Sequence, residues 1–196
     1  MIIGITGPSG SGKTTISDML KERLKCSSIN ADDVAKELAK RGTTYYKDIV
    51  DYFGEEILSE SKEIDRKKLA DIIYEDETKR EALNVLTNVH VAKEIETVAI
   101  ELSKNDIVII DVPRLIESGL GNICDIVISV LADEDIKIKR ICKRDNIDIE
   151  VAKKRLGIQP KDKFYIKNSN YVINNNNDNI EEQIKAIVSV VIKENK

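Results

Sequence analysis

The sequence predicts an α/β fold, a parallel five-stranded sheet flanked by helices. Two observations carry that expectation. Short apolar runs rich in Ile and Val recur at 1–6, 107–112 and 125–131, with weaker ones at 27–30 and 171–174, and helical stretches separate nearly all of them. A glycine-rich turn, G-P-S-G-S-G-K-T at 7–14, stands between the first run and a helical pattern. Strands buried on both faces read as continuous apolar runs. Right-handed crossovers then cover the faces with helices.

Each element follows in turn. After the strand at 1–6 and the turn, 14–24 spaces Ile16, Met19, Leu20 and Leu24 at helical intervals. A short strand at 27–30 leads into Asp32 and Asp33, and 32–103 is acidic and helix-rich, with expected helices at 34–41, 44–53, 66–75 and about 78–103. The second buried strand, 107–112, stops at Pro113. A third strand at 125–131, a helix at about 134–144, a strand at 171–174 and a helix at 178–193 complete the chain.

The turn at 7–14 has the chemistry of an anion site. Gly7, Gly10 and Gly12 allow backbone angles that a Cβ forbids, so successive N–H groups can converge on phosphate oxygens. The helix that follows adds the positive end of its dipole. Lys13 would reach the β- and γ-phosphates and the Thr14 hydroxyl would sit on Mg²⁺. Gly7, Pro8, Ser9, Gly10, Ser11, Gly12, Lys13, Thr14 and Thr15 are therefore the candidate triphosphate contacts, and the chain is expected to bind a nucleoside triphosphate.

Bulk properties narrow the class. A length of 196 residues suits one domain with a small insertion or lid. A net charge of −4 argues against a general nucleic-acid binder. Cys26, Cys124 and Cys142 have neither C-x-x-C spacing nor a pairing with the lone His90, the pattern of reduced thiols in a cytosolic protein. Met1 opens directly into a core strand and the apolar runs are too short to cross a bilayer, so neither a signal peptide nor a membrane is expected.

In parallel sheets ligands bind beyond the carboxyl ends of the strands, which directs attention to Asp32, Asp33, 111–117 and 174–177. A carboxylate at Asp32 can accept the proton of an attacking hydroxyl; one of the Asp32–Asp33 pair caps the next helix while the other faces the cleft. Asp111, ending the run I-V-I-I-D, is either an acid assisting Mg²⁺ through water or a plain strand-end polar residue. Arg140 and Arg144 share a helical face. They lie in a segment, 133–167, with eleven basic and seven acidic residues. That segment is either a solvated surface or a basic lid that neutralises phosphoryl charge and excludes water. His90 is a packed residue or a substrate contact, and the tract 174–177 a solvated turn or part of the site.

Longer stretches resemble the dephospho-CoA kinase family, P-loop kinases, nearly end to end. They are G-I-T-G-P-S-G-S-G-K-T-T at the start, I-N-A-D-D-V-A at 29–35, F-G-E-E-I-L at 53–58 and I-D-R-K-K-L-A at 64–70, then His90. D-V-P-R-L-I-E at 111–117, I-K-R-I-C-K-R-D at 138–145, R-L-G-I-Q at 155–159 and Y-V-I-N-N at 171–175 follow. Four features depart from the family pattern: Asn30 stands for the first aspartate of D-A-D, Val91 for the proline of H-P, Arg114 lies in a stretch that usually reads P-L-L-x-E, and the glycine that often follows the terminal asparagines is absent.

The resemblance implies a P-loop kinase with a nucleotide-binding core (about 1–31, 104–132 and 168–196), a helical substrate-binding insertion (about 32–103) and a lid (about 133–167). It implies ATP and Mg²⁺ as cofactors and transfer of the γ-phosphate to the 3′-hydroxyl of dephospho-CoA. Asp32 would be the base, Lys13 and Thr14 the triphosphate and metal ligands, Arg140 and Arg144 the lid arginines, and Asn175 a residue near adenine. Another small-molecule kinase, such as a nucleoside or nucleoside-monophosphate kinase, and a nucleotide-dependent switch without transfer are the alternatives.

Overall fold

The structure is a computed structural model that describes residues 1–112, 114–176 and 179–195. Its sheet has five strands: β1 (Ile2–Thr6), β2 (Ser27–Asn30), β3 (Val108–Asp111), β4 (Ile126–Leu131) and β5 (Tyr171–Asn174), in the order β2-β3-β1-β4-β5. β1 is central and parallel to both neighbours, with Ile3 opposite Ile109 on one side and Ile126 on the other. All five residues of β1 and all six of β4 are buried, as a sheet covered on both faces requires. The chain passes from β3 to β4 across β1, so β1 ends where the strand order reverses. The loop at 7–12 therefore starts at the position where such sheets bind ligands.

Ile3, Ile5, Ile109, Ile128, Val130 and Ile173 form a core with Ile16 and Leu20 of α1 (Lys13–Leu24) and with Ile184, Ile187 and Val191 of α9 (Ile180–Glu194). Each fully buried Ile or Leu contributes about 1.5–3 kcal/mol relative to exposure. These helices hold the sheet rigid beneath the loop.

The chain divides into two compact units, one of Asn30–Val98 and one of Met1–Ile29 with Ala99–Lys196. The first comprises α2 (Ala31–Leu38), α3 (Thr44–Phe53), α4 (Arg66–Glu75) and most of α5 (Glu77–Ser103), around Tyr45, Ile49, Phe53, Ile57 and Leu58. Thr43 caps α3 through the Tyr46 N–H, and Asp65 caps α4 through those of Lys67 and Lys68. α2 starts three residues earlier than its apolar spacing suggested. Asn30 is the reason: its Oδ1 accepts the Asp32 N–H at 2.8 Å, so Asn30, and neither Asp32 nor Asp33, caps this helix.

The basic segment contains three helices: α6 (Glu134–Asp145), α7 (Ile149–Gly157) and α8 (Asp162–Lys167), of which only α6 is evident from spacing. Ile138 and Ile141 of α6 pack on Ala152 of α7. Lys137 is buried and its Nζ lies 3.1 Å from Asp162, which ties α6 to α8. Among the described residues no helix is long and apolar enough to cross a membrane.

Candidate functional site

The loop between β1 and α1 is held by glycine geometry and by α6. Gly10 has φ +77° and Gly12 φ +92°, the left-handed region that only glycine enters without strain. Both positions are also crowded. A Cβ on Gly10 would lie 2.5 Å from the Lys137 carbonyl oxygen, and one on Gly12 would occupy the space of the Asn175 amide nitrogen. The Ser11 N–H donates to the Pro8 carbonyl at 3.3 Å, closing the turn, and α1 begins at Lys13.

The start of α1 is open to an anion. The helices α2, α3, α4 and α7 are capped by Asn30, Thr43, Asp65 and Asp148, whereas α1 has no side-chain cap and no acid in its first turn. Its first N–H groups are therefore left to a ligand or to water and carry the positive end of the dipole.

Lys13 closes the loop from within. Its Nζ donates to the carbonyls of Gly7 at 2.8 Å and Pro8 at 3.1 Å. Burial pushes its pKa below the ordinary lysine value, Asp111 opposes that, and Arg144 adds to it. Burial pushes the Asp111 carboxyl up, while the Lys13 charge and a hydrogen bond from Ser17 pull it down and Asp18 raises it. A partly buried cation, a partly buried carboxylate and an uncapped helix start lie together here, an arrangement that can receive a polyphosphate.

Among the described residues no cluster of three or more His, Cys, Asp or Glu could hold a metal by itself. Mg²⁺ takes one or two protein ligands and completes its shell with phosphate oxygens and water. Thr14 and Asp111 are the residues that would hold it. Thr14 and Thr15 are both exposed on the first turn of α1.

Two arginines meet the loop in different ways. Arg140 donates through Nη1 to the carbonyls of Gly10 (3.4 Å) and Ser11 (3.2 Å), and through Nη2 to the Asn175 carbonyl (3.1 Å). Arg144 is largely exposed. Its Nη2 reaches Ser9 Oγ at 3.3 Å, while Nε and Nη2 grip both oxygens of Asp145 at 2.7 and 2.9 Å. Asp145 also accepts Arg155 at 2.6 Å. The Arg144 guanidinium beside it holds the Asp145 carboxyl below the usual range.

The dephospho-CoA kinase family model matches residues 1–182. The chain belongs to that family. It is 36% identical over 191 residues to the dephospho-CoA kinase of Fusobacterium nucleatum, covering 95% of each chain. It is also 36% identical to that of Oceanobacillus iheyensis, covering 100% of this chain and 98% of the relative. The solved dephospho-CoA kinase from Campylobacter jejuni superposes with a TM-score of 0.71 at 26% identity, covering 100% of this chain and 98% of that one.

For a dephospho-CoA kinase family member the candidate residues fall into two groups. The loop residues 7–15 lie in the unit of the sheet with Asp111, Arg140, Arg144 and Asn175. Asp32 belongs to the other unit, as the exposed second residue of α2, its backbone N–H on Asn30. Asp33 pairs with Lys36 at 2.9 Å on the surface of the same helix. His90 has its own partner: Nε2 lies 2.6 Å from Asp48, and the ring is tilted against Tyr45, which joins α3 to α5. The tract 174–177 is not a solvated turn in its described part. Asn174 exchanges hydrogen bonds with Gln183, Asn175 is buried against the loop, and Asn176 accepts the Asp133 N–H. Asn177 and Pro113 lie outside the described residues.

Two residues that the sequence did not single out support the site. Gln159 Oε1 accepts the Ser9 N–H at 2.8 Å, and Asp145 orients two arginines. For Asp145 a signal was present, because an acid directly following Arg144 can pair with it. Gln159 closes the stretch R-L-G-I-Q that carries the resemblance, but nothing local marks its contact with Ser9.

Proposed function

We propose that this chain transfers the γ-phosphate of ATP to the ribose 3′-hydroxyl of dephospho-CoA, with Mg²⁺. The observation that supports it most is the Lys13 ammonium, partly buried inside a glycine loop and beside an uncapped helix start. Burial makes that charge costly, and a polyphosphate would offset the cost.

In this reading the loop amides and Lys13 bind the β- and γ-phosphates. Mg²⁺, held by Thr14 with Asp111 near it, would supply neutralisation of phosphate charge. Asp32 accepts the proton of the 3′-hydroxyl while the new O–P bond forms and the bond from the γ-phosphorus to the β,γ-bridging oxygen breaks. Arg144 stabilises charge on the transferring group, and Asp145 keeps its guanidinium aimed. The unit of Asn30–Val98 is the proposed acceptor domain. The segment 133–167 is the proposed lid, with α6 as its root against Gly10.

Single-turnover mixing with ATP, Mg²⁺ and dephospho-CoA tests the reading. Formation of ADP only when dephospho-CoA is present, with one phosphoryl group gained by it, is the expected result. Nucleotide binding without transfer to any alcohol would leave a switch and overturn it.

A further inference from the structure

Asn175 is 4% exposed, and a buried carboxamide needs partners. Its backbone N–H donates to the Leu131 carbonyl at 2.7 Å, which pins it just beyond β5. Its side-chain Nδ2 donates to the Ser11 carbonyl at 2.8 Å. That acceptor can only take a hydrogen, so the amide orientation follows from the partner. Arg140 reinforces the contact from its own side by donating to the Gly10 and Ser11 carbonyls.

A trans peptide is planar, with the C=O of one residue antiparallel to the N–H of the next. Holding the Ser11 carbonyl toward Asn175 therefore turns the Gly12 N–H away from Asn175. The neighbouring peptide is fixed in the same way: its Gly10 carbonyl meets Arg140, and its Ser11 N–H closes the turn on Pro8. Glycine at 10 and 12 would otherwise let these peptides rotate at little cost.

We propose that Asn175, braced by Arg140, is a positioning residue for the phosphates: it clamps loop carbonyls so that the Gly12 amide is preset for an anion. This inference rests on the nucleotide reading above. It assigns Asn175 to the phosphate end of the ligand, not to the base. A preset amide contributes a charge-assisted bond, and loss of the clamp lowers affinity by about tenfold or more.

The test compares binding of MgATP, inorganic tripolyphosphate and adenosine by calorimetry, for the wild type and for Asn175→Ala. The expected result is an equal loss, about tenfold or more, for MgATP and tripolyphosphate, with adenosine unaffected. Loss for MgATP with tripolyphosphate unchanged would show a base contact and overturn the inference, as would no loss for either. Wild-type protein that binds MgATP but not tripolyphosphate also overturns it. Wild-type protein that binds no MgATP overturns the nucleotide reading itself. A second measurement needs no variant: amide spectra of the wild type with tripolyphosphate should shift the Gly12 N–H and leave the Asn175 side-chain signals in place. Asn175 side-chain signals that move with adenosine instead would contradict the clamp.

Discussion

The carbonyl oxygen of Lys137 lies 2.5 Å from the point where a Cβ on Gly10 would stand, so helix α6 rests directly on the glycine loop between β1 and α1. Contact this close makes the loop and the root of the basic segment one packed body. Gly10 also has φ +77°, so two independent constraints select glycine there.

Gly10→Ala should destabilise the protein more than Gly119→Ala does. Gly119 has φ +82° and nothing within 4 Å of its would-be Cβ, so it reports the conformational cost alone, about 1–2 kcal/mol. The clash with α6 adds to that at Gly10. Chemical denaturation of both variants measures the difference, and equal losses would mean that α6 does not bear on the loop.

Lys13 should titrate below an ordinary lysine, and its two charged neighbours should move it in opposite directions. Asp111→Asn removes a raising influence and lowers the Lys13 pKa further, while Arg144→Gln removes a lowering one and raises it. Below its pKa the ammonium is present and holds phosphate, so MgATP affinity should fall as pH rises through it. Without ligand the sign reverses. Between the lowered pKa and the ordinary one the unfolded chain keeps a proton that the folded chain has shed, so the Lys13 contribution to stability rises with pH. Affinity against pH for wild type and both variants checks the order.

Arg144→Ala should lower the transfer rate more than it weakens ATP binding, by on the order of 10². Asp145→Asn should act in the same direction with a smaller loss, because Arg144 and Arg155 remain but lose the carboxylate that orients them. Rates and affinities measured separately for both variants decide this. An equal loss in rate and affinity would point to ground-state binding.

The inner strands β1, β3 and β4 were legible because they are buried along nearly their whole length and read as continuous apolar runs, whereas the edge strands β2 and β5 each bury one residue and left weaker runs. β5 occupies 171–174 as its apolar run suggests, and α1 begins at Lys13, where the glycine loop ends. α7 was not legible: Ile149 and Val151 are exposed and only Ala152 is buried, so no apolar stripe marks it. The supports of the loop were not legible either. Gln159 meets Ser9 across 150 residues and Asn175 meets Ser11 across 164, separations that no local pattern encodes. Resemblance pointed to Asn175 as a residue near adenine, and its contact with the Ser11 carbonyl needed three dimensions.

Asn30→Ala should cost about 1 kcal/mol, the usual value of a lost N-cap. Asn30→Asp, which restores the residue typical of the family, should keep the cap, since Asp caps as well as Asn does. Asp33→Asn should leave stability within error of wild type, because its pair with Lys36 is exposed. Thermal midpoints of the three variants test this, and a large loss at Asp33 would mean that the cap is misassigned.

The product made from a panel of alcohol acceptors is the most direct test of transfer to dephospho-CoA. Wild-type protein with ATP and Mg²⁺ is offered dephospho-CoA, nucleosides and nucleoside monophosphates, and the product is identified by mass and by comigration with authentic coenzyme A. The expected product is dephospho-CoA phosphorylated at the 3′-hydroxyl, and the rate should fall by about 10²–10⁴ for Asp32→Asn with ATP affinity retained. Preferential phosphorylation of another acceptor, or full activity in Asp32→Asn, would contradict it.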